Sequence, residues 1–176
     1  KFYSEHFKLA VDFSEVVIPT KPTVGSWRLI FILKGLTLNQ VLAVMRAKFT
    51  VETFGVTDLD ALVTVNTRTS ATSYAVWVRE GVEPDAEYLG KSTQDADPNG
   101  VLGITLLERL VFEVKYFVET GKHLDPVGVT FCTGSRRSDG SVPCVGWPEG
   151  NRKVHVLSCT VGGSRPARGL RQAVSQ

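Results

Sequence analysis

The feature that most constrains this chain is its last fifty residues, Val127 to Gln176, which we call the tail. The tail holds all three cysteines and half of the sixteen glycines. The tail contains seven Lys and Arg and two acidic residues, so its net charge is near +5. The rest of the chain contains thirteen basic and sixteen acidic residues, so its net charge is near −3. Such a mixture predicts a folded but irregular arrangement of strands and loops.

The tail divides into two sets of positions. One set, which we call the framework, consists of glycine, valine, tryptophan and arginine-rich pieces: Gly134-Ser135-Arg136, Asp139-Gly140, Val142-Pro143, Trp147, Arg152-Lys153-Val154, Val156 and Gly169 to Ser175. The other set has no consistent chemistry, and we call its members the display positions: Arg137, Cys144, Gly146, Pro148, Gly150, His155, Leu157, Cys159, Gly162, Gly163 and Arg165. A fixed scaffold with varied insertions indicates a surface for recognition rather than an active site.

Bulk properties limit the class of protein. A chain of 176 residues, 43% of them hydrophobic, can bury a core and should form a single domain over 1–176. The longest apolar run, Leu29 to Leu33, is far below the ~20 residues of a membrane span, so no membrane segment is expected. Three cysteines without close spacing predict free thiols and no intrachain disulfide. Unpaired cysteines and the absence of a signal-peptide profile favour an intracellular location.

Two helices are predicted by capping boxes. Thr37 with Gln40 precedes an apolar face through Leu42 and Met45, and Thr105 with Glu108 precedes a second face through Leu110. Gly121 is placed to end the second helix, and His123 lies where a cation favours the helix C-terminus.

Segments rich in β-branched and aromatic residues predict strands, and Gly81 to Gly103 predicts a long loop. The predicted strands are Val16–Ile18, Trp27–Leu33, Ala61–Asn66, Ser73–Arg79, Val127–Cys132, Val154–Ser158 and Leu170–Val174. Strands and helices do not alternate regularly, so the fold class is α+β.

Three kinds of chemistry compete with the recognition hypothesis. Cys132, Cys144, His155 and Cys159 lack the close ligand pairs typical of zinc sites, so no metal and no cofactor are predicted. No cysteine is placed by sequence next to an activating histidine, so no catalytic residue is predicted. The tail arginines suggest a basic nucleic-acid-binding module, but aromatic interleaving is poor, and Arg136, Arg152 and Arg171 are better explained as framework residues that bind backbone carbonyls or Asp139.

The framework resembles the C-terminal region of variable proteins of diversity-generating retroelements. The helix before it, from Leu106-Leu107-Glu108-Arg109 to Gly121-Lys122-His123-Leu124-Asp125, is similar as well. The resemblance implies a C-type lectin-like fold of the formylglycine-generating-enzyme type, with two main helices and a loop-rich antiparallel C-terminal sheet. It places this core in 101–176 and the variable region at about 132–169, and it leaves 1–100 as an N-terminal part of uncertain arrangement.

The resemblance implies that the display positions form one solvent-facing, ligand-binding surface that is rewritten by adenine-directed reverse transcription. The expected partner is an unidentified protein or surface ligand, and the protein is not expected to be an enzyme. Alternation along the strand at 154–158 places Val154 and Val156 on the inner face and exposes His155 and Leu157, unless Leu157 packs under a neighbouring loop. An enzyme that uses a tail cysteine, and a nucleic-acid-binding module, remain the alternatives.

Overall fold

The computed structural model describes residues 1–176, which form five α-helices and ten β-strands. The helices are α1 (Phe2–His6), α2 (Leu38–Arg46), α3 (Leu59–Leu62), α4 (Thr93–Ala96) and α5 (Leu106–Thr120). The strands are β1 (Trp27–Ile32), β2 (Val51–Glu52), β3 (Val63–Asn66), β4 (Tyr74–Arg79), β5 (Val129–Phe131), β6 (Ser135–Arg137), β7 (Val142–Gly146), β8 (Val154–Cys159), β9 (Arg168–Leu170) and β10 (Ala173–Val174). The predicted α+β class is confirmed.

Both predicted capping boxes form. The Thr37 hydroxyl accepts a hydrogen bond from the Gln40 amide at 3.2 Å, and the Gln40 side chain accepts one from the Thr37 amide at 3.0 Å. Thr105 and Glu108 form the same reciprocal pair at the start of α5. Gly121 ends α5 in the left-handed conformation at φ 70°, which glycine adopts without a steric penalty.

Each of the three sheets joins strands from both parts of the chain. β1, β4 and β10 form one sheet, β3 and β6 form the second, and the third has the order β2-β8-β7-β5-β9. β2 pairs with β8 and β5 with β9 in parallel, whereas β7 pairs with both β5 and β8 in antiparallel fashion. The expectation of an antiparallel C-terminal sheet was therefore wrong, because the sheet is mixed. A boundary near residue 100 therefore does not separate two sheet systems.

Two hydrophobic clusters lie on opposite faces of the five-stranded sheet. The larger one packs α2, α5 and β1 against Val145, Val154 and Val156. The smaller one is built on Phe131, Cys144 and Leu170, and Ala96 of α4 packs onto it. The segment Gly81 to Gly103, which was predicted to be a plain loop, contains α4 and a 3₁₀ turn at Ala86–Tyr88. It covers this second face, and we call it the covering segment.

Several predictions about elements were wrong. Val16–Ile18 forms no strand; Val17 and Ile18 are exposed, and Pro19 instead accepts a hydrogen bond from the Trp77 indole. The predicted Ala61–Asn66 strand begins with the last turn of α3. The predicted strand Leu170–Val174 is divided between the end of β9 and β10, which belong to different sheets. α1, α3, β2, β6 and β7 were not predicted. No helix combines the length and the apolar character needed to cross a membrane.

Candidate functional site

The tail is anchored from inside by Arg171, whose side chain is fully buried. Its guanidinium donates a hydrogen bond to Asp125 Oδ1 at 2.9 Å. It also donates to four backbone carbonyls, those of Arg79 and Glu83 at 2.9 Å each and those of Gly81 and Val82 between them. These bonds tie β9–β10 to the start of the covering segment. The prediction that this framework arginine binds backbone carbonyls is confirmed.

Asp125 links Arg171 to a second buried arginine. Its Oδ2 accepts hydrogen bonds from Arg109 at 2.8 Å and from the Thr130 hydroxyl at 2.6 Å, and Arg109 also pairs with Glu113 at 2.7 Å. All four charged groups have 0% exposed side chains, so each depends on the others for compensation. Burial acts to lower the Arg109 pKa, but the charges of Asp125 and Glu113 and their hydrogen bonds together outweigh it, so the pKa is raised.

His123 extends this network to the sheet surface. Its Nδ1 lies 2.8 Å from Glu113, and its ring stacks on Trp147 at 4.8 Å between centroids and on Phe117 at 4.9 Å. Trp147, a framework residue, is half-buried and packs against the main core. His123 therefore positions a framework aromatic in addition to lying beyond the end of α5.

Cys144 and Cys159 form a disulfide, so the prediction that the chain has no intrachain bridge was wrong. The two residues are diagonal neighbours on one face of the β7–β8 pair, with Cα atoms 6.4 Å apart. Cys144 is 0% and Cys159 5% exposed, because the covering segment encloses this part of the sheet. Both belong to the framework and not to a display surface, and the argument from unpaired cysteines for an intracellular location no longer holds.

Gly146 is a third display position that the structure places inside. A Cβ there would lie 2.9 Å from the Gly128 carbonyl oxygen and 3.1 Å from Val129, so even alanine would force the backbones apart. The prediction of a single solvent-facing cluster is therefore wrong for Cys144, Gly146 and Cys159.

β8 alternates as predicted. Val154 and Val156 are buried in the main core at 0% and 6% exposure. His155 and Leu157 point the other way and are half-buried, and the His155 ring meets the exposed Phe54 edge-to-face at 5.3 Å. Leu157 packs partly against the smaller cluster, as the alternative for this residue anticipated. Desolvation lowers the His155 pKa.

The remaining display positions flank β8. Half-buried Pro148 and exposed Gly150 lie in the turn before the strand, whereas exposed Gly162, half-buried Gly163 and exposed Arg165 lie in the loop after it. At about 3.3 Å per residue, β8 holds these two groups about 17 Å apart. The accessible display positions thus occupy the two ends and the open edge of one strand.

Arg137 is half-buried and lines a groove beside that edge, which we call the β8 groove. The groove has a volume of about 350 Å³, and eight of its twelve lining residues are hydrophobic. The lining residues are Thr53, Phe54, Val56, Leu59, Leu62, Val63, Leu106, Arg137, Pro143, Val156, Leu157 and Ser158. One wall therefore comes from the tail and the other from residues 53–63.

The sequence pattern did not reveal this second wall. Its most visible member, Phe54, is 58% exposed and adopts a left-handed φ of 52°, which is uncommon for a bulky residue. An aromatic residue directly before Gly55, in a segment with no helical or strand period, is the signal that could have identified it.

The other framework arginines behave differently from each other. Arg136 donates to the carbonyls of Thr133 at 2.6 Å and Ser135 at 2.9 Å, as predicted. Arg152 is exposed and ends a 3₁₀ turn in the left-handed conformation, with no carbonyl bound by its guanidinium, so that part of the prediction was wrong.

The third cysteine, Cys132, is fully buried as a free thiol. Burial raises its pKa, although the Arg109 charge acts in the opposite direction. A nucleophilic cysteine needs the opposite shift, because the thiolate is the reactive form.

Comparisons of the chain with protein-family models, with curated proteins and with solved structures gave no match.

Proposed function

We propose that this protein is a non-enzymatic ligand-binding protein whose tail presents a diversified recognition surface, on a scaffold of the C-type lectin-like kind. The observation that carries the proposal is the division within the tail. The framework residues Arg171 and Val154 are buried and internally bonded, while intervening display positions such as Gly150, His155 and Arg165 reach solvent. Such a division lets side chains change without loss of the fold.

The display surface in this proposal is smaller than the sequence pattern suggested. It consists of the accessible display positions: Arg137, Pro148, Gly150, His155, Leu157, Gly162, Gly163 and Arg165. The expected ligand is a protein or another surface, since the positions are spread over two strands and two loops and do not line one deep pocket.

The two alternatives find less support. An enzyme that uses a tail thiol would need an activated cysteine, whereas two of the three are joined and the third has a raised pKa. A nucleic-acid-binding module would need its arginines free for phosphates, whereas Arg136 and Arg171 are bound to carbonyls within the protein.

A display library tests the proposal. Codons for Pro148, Gly150, His155, Leu157, Gly162, Gly163 and Arg165 are randomised, and the library is selected for binding to an unrelated protein such as lysozyme. A matched control library randomises exposed residues outside both the tail and the β8 groove: Thr20, Val24, Lys34, Ala43, Asn99, Val101 and Leu102. We expect folded binders from the tail library at a much higher frequency; equal yields from both libraries would contradict the proposal.

A further inference from the structure

The β8 groove contains one charged side chain whose bonding is incomplete. Arg137 is the only ionisable residue in its lining, and its side chain is 18% exposed. Its Nε is buried without a hydrogen-bond partner, and its ion-pair partner, Asp139, lies 3.7 Å away and is itself 57% exposed. A largely buried guanidinium with an unpaired donor is unfavourable until an acceptor reaches it.

The groove also runs along an open strand edge. The Val154 amide donates to the Thr50 carbonyl, so it points towards β2, and the alternation of a strand directs the backbone groups of Val156 and Ser158 to the same edge. The Pro143 carbonyl, opposite Ser158, accepts from Cys132 and so faces away from β8. β2 ends at Glu52, opposite His155, so the edge at Ser158 continues beyond the last paired residue.

The remaining walls of the groove are apolar and partly exposed. Phe54 holds its ring out to solvent from a strained backbone position, and Leu157 faces the same groove. A strained backbone conformation costs about 1–3 kcal/mol and persists only where the surrounding fold holds the residue in place. Residues of this kind cluster at binding sites, so the exposed Phe54 ring is a candidate ligand contact. A volume of about 350 Å³ suits one or two side chains of a larger partner.

We infer that the β8 groove binds an extended peptide segment of a partner protein, one that carries an apolar side chain close to an Asp or Glu. The peptide pairs with the open β8 edge at Ser158, its apolar side chain lies between Phe54 and Leu157, and its carboxylate reaches Arg137. Strand addition of this kind takes affinity from main-chain hydrogen bonds and specificity from side-chain pockets. The inference rests on the proposed function and adds the ligand chemistry and a fixed wall outside the tail.

Selection from a random linear peptide library displayed on phage, followed by binding measurements with synthetic peptides, tests the inference. We expect the enriched peptides to share an apolar residue near an Asp or Glu. Arg137→Gln, and replacement of the peptide acid by its amide, should each weaken binding about tenfold or more. Ser158→Pro should do the same because it removes an edge N–H, whereas Lys153→Gln, which lies outside the groove, should stay within about twofold.

Thermal unfolding of each variant separates lost binding from lost folding, and the amide version of the peptide tests the charge without changing the protein. Enrichment of no acidic, apolar peptide would overturn the inference. Enriched peptides that bind Arg137→Gln and Ser158→Pro as tightly as the native protein would overturn it as well. Peptides whose binding instead depends on Pro148, Gly150 or Arg165 would exclude the groove and leave the proposed display function standing.

Discussion

At the scale of single residues, buried polar groups decide how the tail is held. Asp125 is approached by Arg109, Arg171 and Thr130 from three separate parts of the chain. Arg109 and Arg171 lie 16 and 46 residues from Asp125, so no local pattern reveals these two partners, although the arginine at position 171 was recognisable as a framework residue. Removal of one partner leaves a buried charge without compensation, which typically costs about 3–5 kcal/mol.

The disulfide gives the first prediction. The Cys144–Cys159 bridge closes a loop with a sequence separation of 15, for which loop-closure entropy predicts about 3 kcal/mol of stabilisation. Reductant should therefore lower the free energy of unfolding of the native protein by about 2–4 kcal/mol in urea titrations. Cys144→Ala/Cys159→Ala should already lack that stability and should not respond to reductant. Two free thiols at these positions in the non-reduced, folded protein would contradict the bridge.

Asp85 gives a prediction about pH. The side chain is buried, and desolvation raises its pKa to about 6 even though the Gln172 amide and nearby arginines favour the charged form. Between about pH 4 and 6 the folded state then binds the proton more tightly than the unfolded state, so this residue's contribution to stability falls as pH rises.

Asp85→Asn should remove that loss. Relative to the native protein, the variant should gain about 1–3 kcal/mol in free energy of unfolding on going from about pH 4 to about pH 7.5. Urea titrations at both pH values measure the difference, and Glu149→Gln, at an exposed acid, serves as the control. Equal pH dependence in Asp85→Asn and the native protein would show that the carboxylate is not destabilised by burial.

At the scale of elements, α2 and α5 were predictable because their signals are local. In each helix a capping box and a periodic apolar face lie within one segment, and α5 also has a C-terminal glycine. The strands depend on partners far along the chain, which explains the errors. β6 and β7 carry Arg136 and Pro143, residues that suggest loops, and they become strands only because β3, β5 and β8 supply pairing partners.

The candidate site was predicted in part for the same reason. The inward valines of β8 and the outward His155 follow from alternation, which is a property of one strand. The burial of Cys144 and Cys159 follows from the segment that covers the sheet, and the β8 groove follows from residues 53–63. Neither can be read from the tail alone.

α5 gives a prediction at this scale. Leu110 is 0% exposed and lies where the helix packs into the main core. Leu110→Ala should lower the free energy of unfolding by about 2–5 kcal/mol, because it removes buried methyl groups and leaves a cavity. Lys122→Ala, at an exposed position just after the helix, should change it by less than about 0.5 kcal/mol. A similarly small effect of Leu110→Ala would mean that this face of α5 does not support the core.

At the scale of the whole molecule, the tail is part of the structure and not an appendage. Every sheet takes strands from both sides of residue 100, and the buried arginines join α5 to the end of the chain. In the proposed function, this arrangement would hold a diversified surface on a stable fold.

Truncation tests this integration. A fragment of residues 1–125 loses β5 to β10, so β1–β4 keep only one of their pairings and Asp125 loses Arg171 and Thr130. We expect this fragment to show no cooperative thermal unfolding by circular dichroism. A soluble 1–125 fragment with the melting behaviour of the full chain would show that the first part folds independently.

The measurement that tests the central claim most directly is the distribution of natural variation in the tail. Sequencing this gene across many isolates of its source population would locate substitutions codon by codon. The proposal predicts that they concentrate at adenine-derived positions encoding the accessible display residues, such as Gly150, His155 and Arg165, and that a nearby template copy differs there. Cys144, Gly146, Cys159 and the framework residues Val154 and Arg171 should stay constant. Substitutions spread evenly over the chain, or found equally at the buried framework, would contradict it.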